Sequence, residues 1–357
     1  MKSIIIKVVG IILLVGLLIY LFYSPKLEFD VLENPNHSNE RVNRTSPPKT
    51  NPNEGGNPKL TKGVGTLVGQ SIETVTRKYG QADRRYSYEK DFENYIYHRD
   101  NMYLIVTVKD KKVKSVYVTG EGSKAKTGPI EINSRADKIY NSFSINTEPQ
   151  FKFNGKDYHY ELSDEDIKTQ ALIPFGDIYA QVFIDQQSNR VIGLRFLDKE
   201  ALVVINPYTQ NQPELLSEDE VDQKEAHKNP DQDVNQRLTL YELTNEMRKL
   251  YHRRPLQIEG KLESVANVNL FNTHASGNHT FTESSLIDVL DQTDLSYQSV
   301  SQNVAYNFND VPTLTHSWMN SDAHRSRMLN EKYSKMGGEI DRQYFILIFL
   351  EEEDQSV

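Results

Sequence analysis

The chain has 357 residues, 41 basic against 50 acidic for a formal net charge of −9, and no cysteine. An acid excess without a segregated basic run argues against a nucleic-acid partner. The lack of cysteine excludes disulfides, a thiol nucleophile and a lipid-modified N-terminal cysteine.

Val8 to Tyr23 form an unbroken apolar run. With Ile4 to Ile6 and a Lys7 able to snorkel, the stretch is long enough to cross a bilayer core, which predicts a membrane helix over residues 1–24. Lys2 and Lys7 precede the run, whereas Glu28, Asp30 and Glu33 follow soon after Lys26. The positive-inside tendency then leaves the N-terminus in the cytoplasm and the remainder outside. Ile19 to Tyr23 offers none of the small residues that signal peptidase needs, so the segment reads as an uncleaved signal anchor of a single-pass membrane protein. An exported chain without disulfides points to a Gram-positive envelope.

Residues 25–60 are rich in Asn, Pro, Ser, Thr and Gly, with Pro47, Pro48, Pro52 and Pro58 opposing regular structure, and are expected to form a disordered stalk. Residues 61–208 carry a weak internal repeat. Tyr103 to Val118 and Tyr179 to Phe196 each read as an alternating strand, a polar turn and a second alternating strand. A short helix capped by Ser71 and stopped by Gly80 precedes the first hairpin, and Ala136 to Phe143 is its counterpart before the second. Each half is therefore expected to pack one helix on a small antiparallel meander. Tyr86, Tyr88, Tyr95, Tyr97, Tyr103, Tyr117, Tyr158, Tyr160 and Tyr179 fall on these strands. Half should pack beneath the helices, and the outward half forms either ordinary surface or a recognition face for a peptide or glycan.

A polar, acidic linker over 209–236 separates this unit from residues 237–357. There Leu240, Leu243, Met247 and Leu250 recur at helical spacing, with Glu242, Glu246 and Lys249 on the wet side. A second helix runs from Leu262 to His274 and a third from Val311 to Trp318, while Ser301–Ala305, Met336–Ile340 and Tyr344–Leu350 read as strands. The expected fold class is α+β, with an α-β-α sandwich on a three-stranded antiparallel sheet.

Trp318-Met319-Asn320-Ser321-Asp322-Ala323-His324-Arg325, together with the Ser301–Ala305 strand and with Leu243, Asn245, Arg248, Pro255, Leu256, Leu262 and Ala266 in order, resembles the CAP superfamily of cysteine-rich secretory, antigen five and pathogenesis-related proteins in its bacterial form. The preceding unit resembles the CAP-associated N-terminal domain of Firmicute proteins. The resemblance implies a cleft with two histidines and one or two acids, able to hold a divalent metal. His324 matches the second histidine. The first is replaced in the run Phe281-Thr282-Glu283, and Gln302 stands where the family carries an acid, so the metal set is degraded and no cofactor is expected. By this alignment Glu283, Gln302 and Asn303 line the cleft with His324, supported by Ser321 and Arg325. His274, His279 and His316 are expected to be ordinary histidines. With no Gly-x-Ser-x-Gly elbow, the leading expectation is a membrane-anchored, non-catalytic binding protein with an envelope protein, peptide or glycan as ligand. The alternative is a cleft hydrolase or protease-like enzyme using His324 and Glu283 as an acid–base couple, with or without a metal.

Overall fold

The computed structural model describes residues 7, 9–15, 27–37, 56–124, 126–210, 230–277, 280–341 and 343–353. The predicted anchor over 1–24 falls mainly outside these residues. Its described residues, 7 and 9–15, are helical, with Val9, Ile11, Ile12, Leu13, Leu14 and Val15 all exposed. Among the described residues no helix is long and apolar enough to cross a membrane.

Residues 56–210 build a seven-stranded antiparallel sheet from Arg84–Ser87, Glu93–Arg99, Met102–Lys109, Lys112–Thr119, Arg190–Leu197, Ile178–Asp185 and Gln170–Phe175, in that spatial order. The two hairpins meet at its centre, where Val118 lies opposite Leu194. Asp110 and Lys111, at the first turn, both take positive φ, the twist a tight two-residue hairpin requires. Helix Ile72–Tyr79 precedes the first hairpin and ends at Gly80, whose φ of 82° only glycine adopts cheaply. Ser71 stands at its N-cap without a side-chain capping bond. Helix Ala136–Ser142 holds the matching place before the second hairpin. The second half departs from the first where Gln150–Phe153, Lys156–Glu161 and Thr209–Gln210 leave to form a separate three-stranded sheet.

Alternation with one wet face was expected for the hairpin strands; instead both faces are covered. Leu104, Val106 and Val108 join Val75, Ala136 and Ile139 beneath the helices. Tyr103 and Ile105, pointing the other way as strand geometry dictates, enter a cluster with Leu240, Leu243, Met247, Leu314 and Trp318 of the C-terminal unit.

The C-terminal unit is a sandwich. Helices Pro230–Leu250 and Val311–Met319 lie on the side of its sheet facing the seven-stranded sheet, and Gly260–Ser276 and Glu283–Leu290 cover the other. Three strands, Lys335–Asp341, Tyr344–Glu351 and Ser299–Tyr306, pair antiparallel as predicted, but the sheet has five. Gln257–Ile258 adds to one edge in parallel, and Val31–Glu33 adds to the other. That last strand corrects the stalk expectation for part of 25–60. Residues 27–37 are docked, because the free edge of Ser299–Tyr306 gives their backbone a partner that local composition could not reveal.

The two units share one apolar core. Tyr86, Tyr103 and Tyr117 of the tyrosine set are buried in it against the C-terminal helices, so this outward face is not an open recognition surface for peptide or glycan. Several polar groups at the junction are paired. Arg195 forms a buried ion pair with Asp310 and donates to Gln181 Oε1 at 3.0 Å. Gln181 in turn donates to Gln170, Gln170 to Asp166, and Asn36 of the docked segment also donates to Asp166 at 2.8 Å. Burial holds the Asp166 carboxyl above its usual range.

Candidate functional site

Helix Asp322–Met328 presents His324 to the edge of strand Ser299–Tyr306. The residue is 1 % exposed, and its ring lies parallel to the Trp318 indole, centroids 6.1 Å apart. Its Nε2 is 3.1 Å from the carbonyl oxygen of Asp30, and its Nδ1 is 2.8 Å from Ser321 Oγ. A carbonyl only accepts, so Nε2 carries the proton, and the Ser321 hydroxyl donates to Nδ1. Burial pushes the imidazole below its ordinary pKa and the Arg327 guanidinium adds to this, against the opposing Asp30 and Val304 carbonyls. Ser321, expected to support the cleft, stands at the helix N-cap but spends its hydroxyl on His324.

Adjacent residues on a strand leave opposite faces, and the predicted neighbours Gln302 and Asn303 accordingly have different partners. Gln302 is fully buried under helix Gly260–Ser276, where its Oε1 accepts from Asn269 at 3.1 Å. Its Nε2 is buried with no partner among the described residues. Asn303 donates to the His324 main-chain oxygen at 3.0 Å. Glu283 opens helix Glu283–Leu290, and its backbone N–H donates to the Leu27 carbonyl at 2.9 Å. The expected His324–Glu283 couple is not made, since the histidine's partners are Ser321 and Asp30. Glu283 and His324 are instead joined through the segment lying between them, residues 27–30.

The donor set does not fit a divalent metal. Both His324 nitrogens are already engaged, and Gln302 brings a neutral amide bonded to Asn269. Among the described residues no group of three His, Asp or Glu side chains is arranged to hold a metal ion.

Arg325 corrects another expectation. It does not support the cleft; its guanidinium crosses the domain junction to Asp185, stacks over Tyr251 and donates to the Met319 carbonyl. Of the remaining histidines, His316 is buried between domains, stacked on Phe183 at 4.1 Å and 2.8 Å from the Tyr117 hydroxyl. Burial and the nearby Arg195 charge lower its pKa to about 3. His274 packs edge-on against Tyr344. His279 lies outside the described residues.

What sequence reasoning missed is the strap itself. Glu28 and Phe29 pair antiparallel with Thr282 and Phe281. Val31 to Glu33 pair parallel with Val304 to Tyr306. Arg327 lies 5.2 Å over the Phe29 ring. Alternating Phe29 and Val31 was the available signal, but in a Pro- and Asn-rich setting it names no partner. Between the domains a cavity of about 30 Å³, room for a water or two, is lined by Tyr86, Asn94, Tyr117, Arg195 and Asp310.

A sandwich carrying His324 at the edge of its sheet, joined to a repeat-built sheet domain, defines a two-domain CAP protein. The chain matches the cysteine-rich secretory protein family over residues 241–344 and the CAP-associated N-terminal family over residues 68–208. A crystal structure of a cysteine-rich secretory protein from Staphylococcus aureus subsp. aureus Mu50 is 47% identical to it, with a TM-score of 0.80 covering 92% of this chain and 100% of that one. The chain belongs to the cysteine-rich secretory protein family, in the form with a CAP-associated N-terminal domain. An extracellular SCP-domain protein from Bacillus anthracis str. Ames shares the fold at 22% identity, TM-score 0.72, over 88% of this chain and 99% of that one. An uncharacterized membrane protein of Bacillus subtilis (strain 168), YlbC, is 25% identical over 300 residues, 81% of this chain and 84% of its own length.

Proposed function

We propose that the protein is a membrane-anchored, extracellular binding protein of a Gram-positive envelope, in which the CAP domain and its N-terminal domain act as one non-catalytic unit. The observation carrying this reading is the state of His324, whose two ring nitrogens are both engaged within the chain. The Nε2 hydrogen bond goes to the Asp30 carbonyl and not to a carboxylate. The apolar run from Val8 to Tyr23 and the exposed apolar side chains of helix 9–15 support the anchor, as do the names of the Bacillus relatives, one a membrane protein and one extracellular. Nucleic acid is not among the proposed partners, and no metal is assigned a role.

One contact favours a second reading. The Ser321 hydroxyl donating to an unprotonated His324 Nδ1 at 2.8 Å is the geometry of a nucleophile and its base. That hydrolase would use Ser321 in place of Glu283. Treatment of the full chain with a fluorophosphonate separates the two readings: the binding protein stays unlabelled, whereas adduct on Ser321 that is lost in His324→Ala establishes the hydrolase. Topology has its own test. Protease added to intact protoplasts should remove the ectodomain, and survival of an epitope placed within residues 211–229 would exclude the outward orientation.

A further inference from the structure

The CAP cleft is filled by this chain's own residues 27–33, and the manner of filling is informative. Most bonds across it are made by backbone. Glu283 donates to the Leu27 carbonyl, His324 to the Asp30 carbonyl, and Asn34 to the Tyr306 carbonyl at 3.1 Å, with ladders on both sides of Asp30. Side-chain selectivity is confined to few positions. The Phe29 ring lies beneath Arg327, the Asp30 charge acts on the same guanidinium, and Leu32 packs against the interdomain core. None of residues 27–33 is fully buried, whereas Asn34 and Asn36 are. The strap is thus pinned at its C-terminal end, where Asn36 holds Asp166 and His37 holds the Asn206 and Asn307 carbonyls. It is only laid along the groove at the other. Beneath it runs the edge of Ser299–Tyr306, whose polar groups demand a strand partner whenever the strap is away.

We propose that this groove is a receptor for an extended peptide strand of another envelope protein, and that residues 27–33 hold the place of that strand. The ligand it fits carries an aromatic residue, to lie under Arg327, and adds in parallel to the sheet edge. Main-chain bonds supply affinity and the Arg327 contacts supply selectivity, the division found in strand-addition recognition. The proposal rests on the binding-protein reading above and names its partner class.

The test uses the full chain in detergent and a fluorescein-labelled peptide of residues 26–34, read by anisotropy. In the wild type the strap competes. The double variant Phe29→Ala, Leu32→Asp weakens the strap and should bind the peptide at least tenfold tighter than the wild type, with Arg327→Gln in that background losing at least tenfold. Phe29→Ala alone, which removes only a half-buried ring, repeats the measurement should the double variant misfold. Absence of saturable binding by the folded variants, or equal binding of a scrambled peptide, overturns the proposal. So does a wild-type dimer with the segment exchanged between copies, since the groove would then serve its own chain. Cleavage of the bound peptide would support the groove while refuting the non-catalytic reading, so the two fail separately.

Discussion

The Arg325 guanidinium donates to the Asp185 carboxylate across the domain junction, Nη1 to Oδ1 at 2.7 Å and Nη2 to Oδ2 at 3.3 Å, with the aspartate side chain fully buried. The same carboxylate accepts from the Tyr251 hydroxyl and from the backbone of Gln187 and Ser188. Asp185→Ala strands a buried guanidinium, and removing one partner of such a pair costs roughly 3–5 kcal/mol. Urea unfolding should show that loss, and the Asp185→Ala, Arg325→Ala double variant should lose less than the sum of the singles. Strict additivity would mean that the pair does not couple the domains.

Gly193 sits where the central hairpin meets His316. A Cβ there would stand 2.5 Å from the imidazole Nε2 and 3.3 Å from the Tyr117 hydroxyl. Gly193→Ala should therefore pry the junction apart, at a cost of about 1–3 kcal/mol typical of overpacking. A melting temperature equal to the wild type would show that the ring can step aside.

His316 makes stability depend on pH. Its folded pKa of about 3 lies below the ordinary histidine value, so the unfolded chain binds the extra proton first. The contribution of the neutral ring is fully present above pH ~6.5 and is lost as pH falls toward the folded value. His316→Gln should lose roughly 2 kcal/mol less than the wild type between pH 6.5 and 4.5, measured by urea midpoints. Parallel pH profiles for the two proteins would rule out this account.

Cutting the chain should not part the domains. Of the linker expected over 209–236, Thr209–Gln210 is a strand and the helix begins at Pro230, which leaves 211–229, polar and without apolar periodicity, as the preferred protease site. The shared cluster around Tyr103, Tyr117, Met247 and Trp318 should keep both fragments together after the cut, as a single peak in size-exclusion chromatography. Separation of the fragments would show that the junction is weaker than its shared apolar cluster and ion pairs imply.

Much of this was legible. Leu240, Leu243 and Met247 repeat at helical spacing and are all buried, and the two hairpins fall where alternation and turn residues place them. Trp318, which ends the third helix expected from the sequence, is fully buried. The two-faced burial of Met102 to Val108 was also available in the sequence, as a nearly continuous apolar run where a half-exposed strand would alternate. The candidate site was read less well. His324 was located by motif, but Arg325 was assigned to the cleft when it serves the domain junction. Strap residues 27–37 were given to a stalk.

The division has a physical reason. Local pattern and turn chemistry are properties of neighbouring residues, so the sequence by itself determined the main helices, the two hairpins, the repeat and the family motif. Pairing across long separations is not a local property. Tyr117 with His316, Arg195 with Asp310, Asp185 with Arg325, and Asp30 with His324 are joined only when two sheets and an edge strand come together. The polar residues among them carry no burial signal of their own, because a charge is tolerated inside only once its partner is in place. The tertiary structure alone decided that the tyrosine face is an internal surface and that the cleft is closed by the chain's own N-terminal strand.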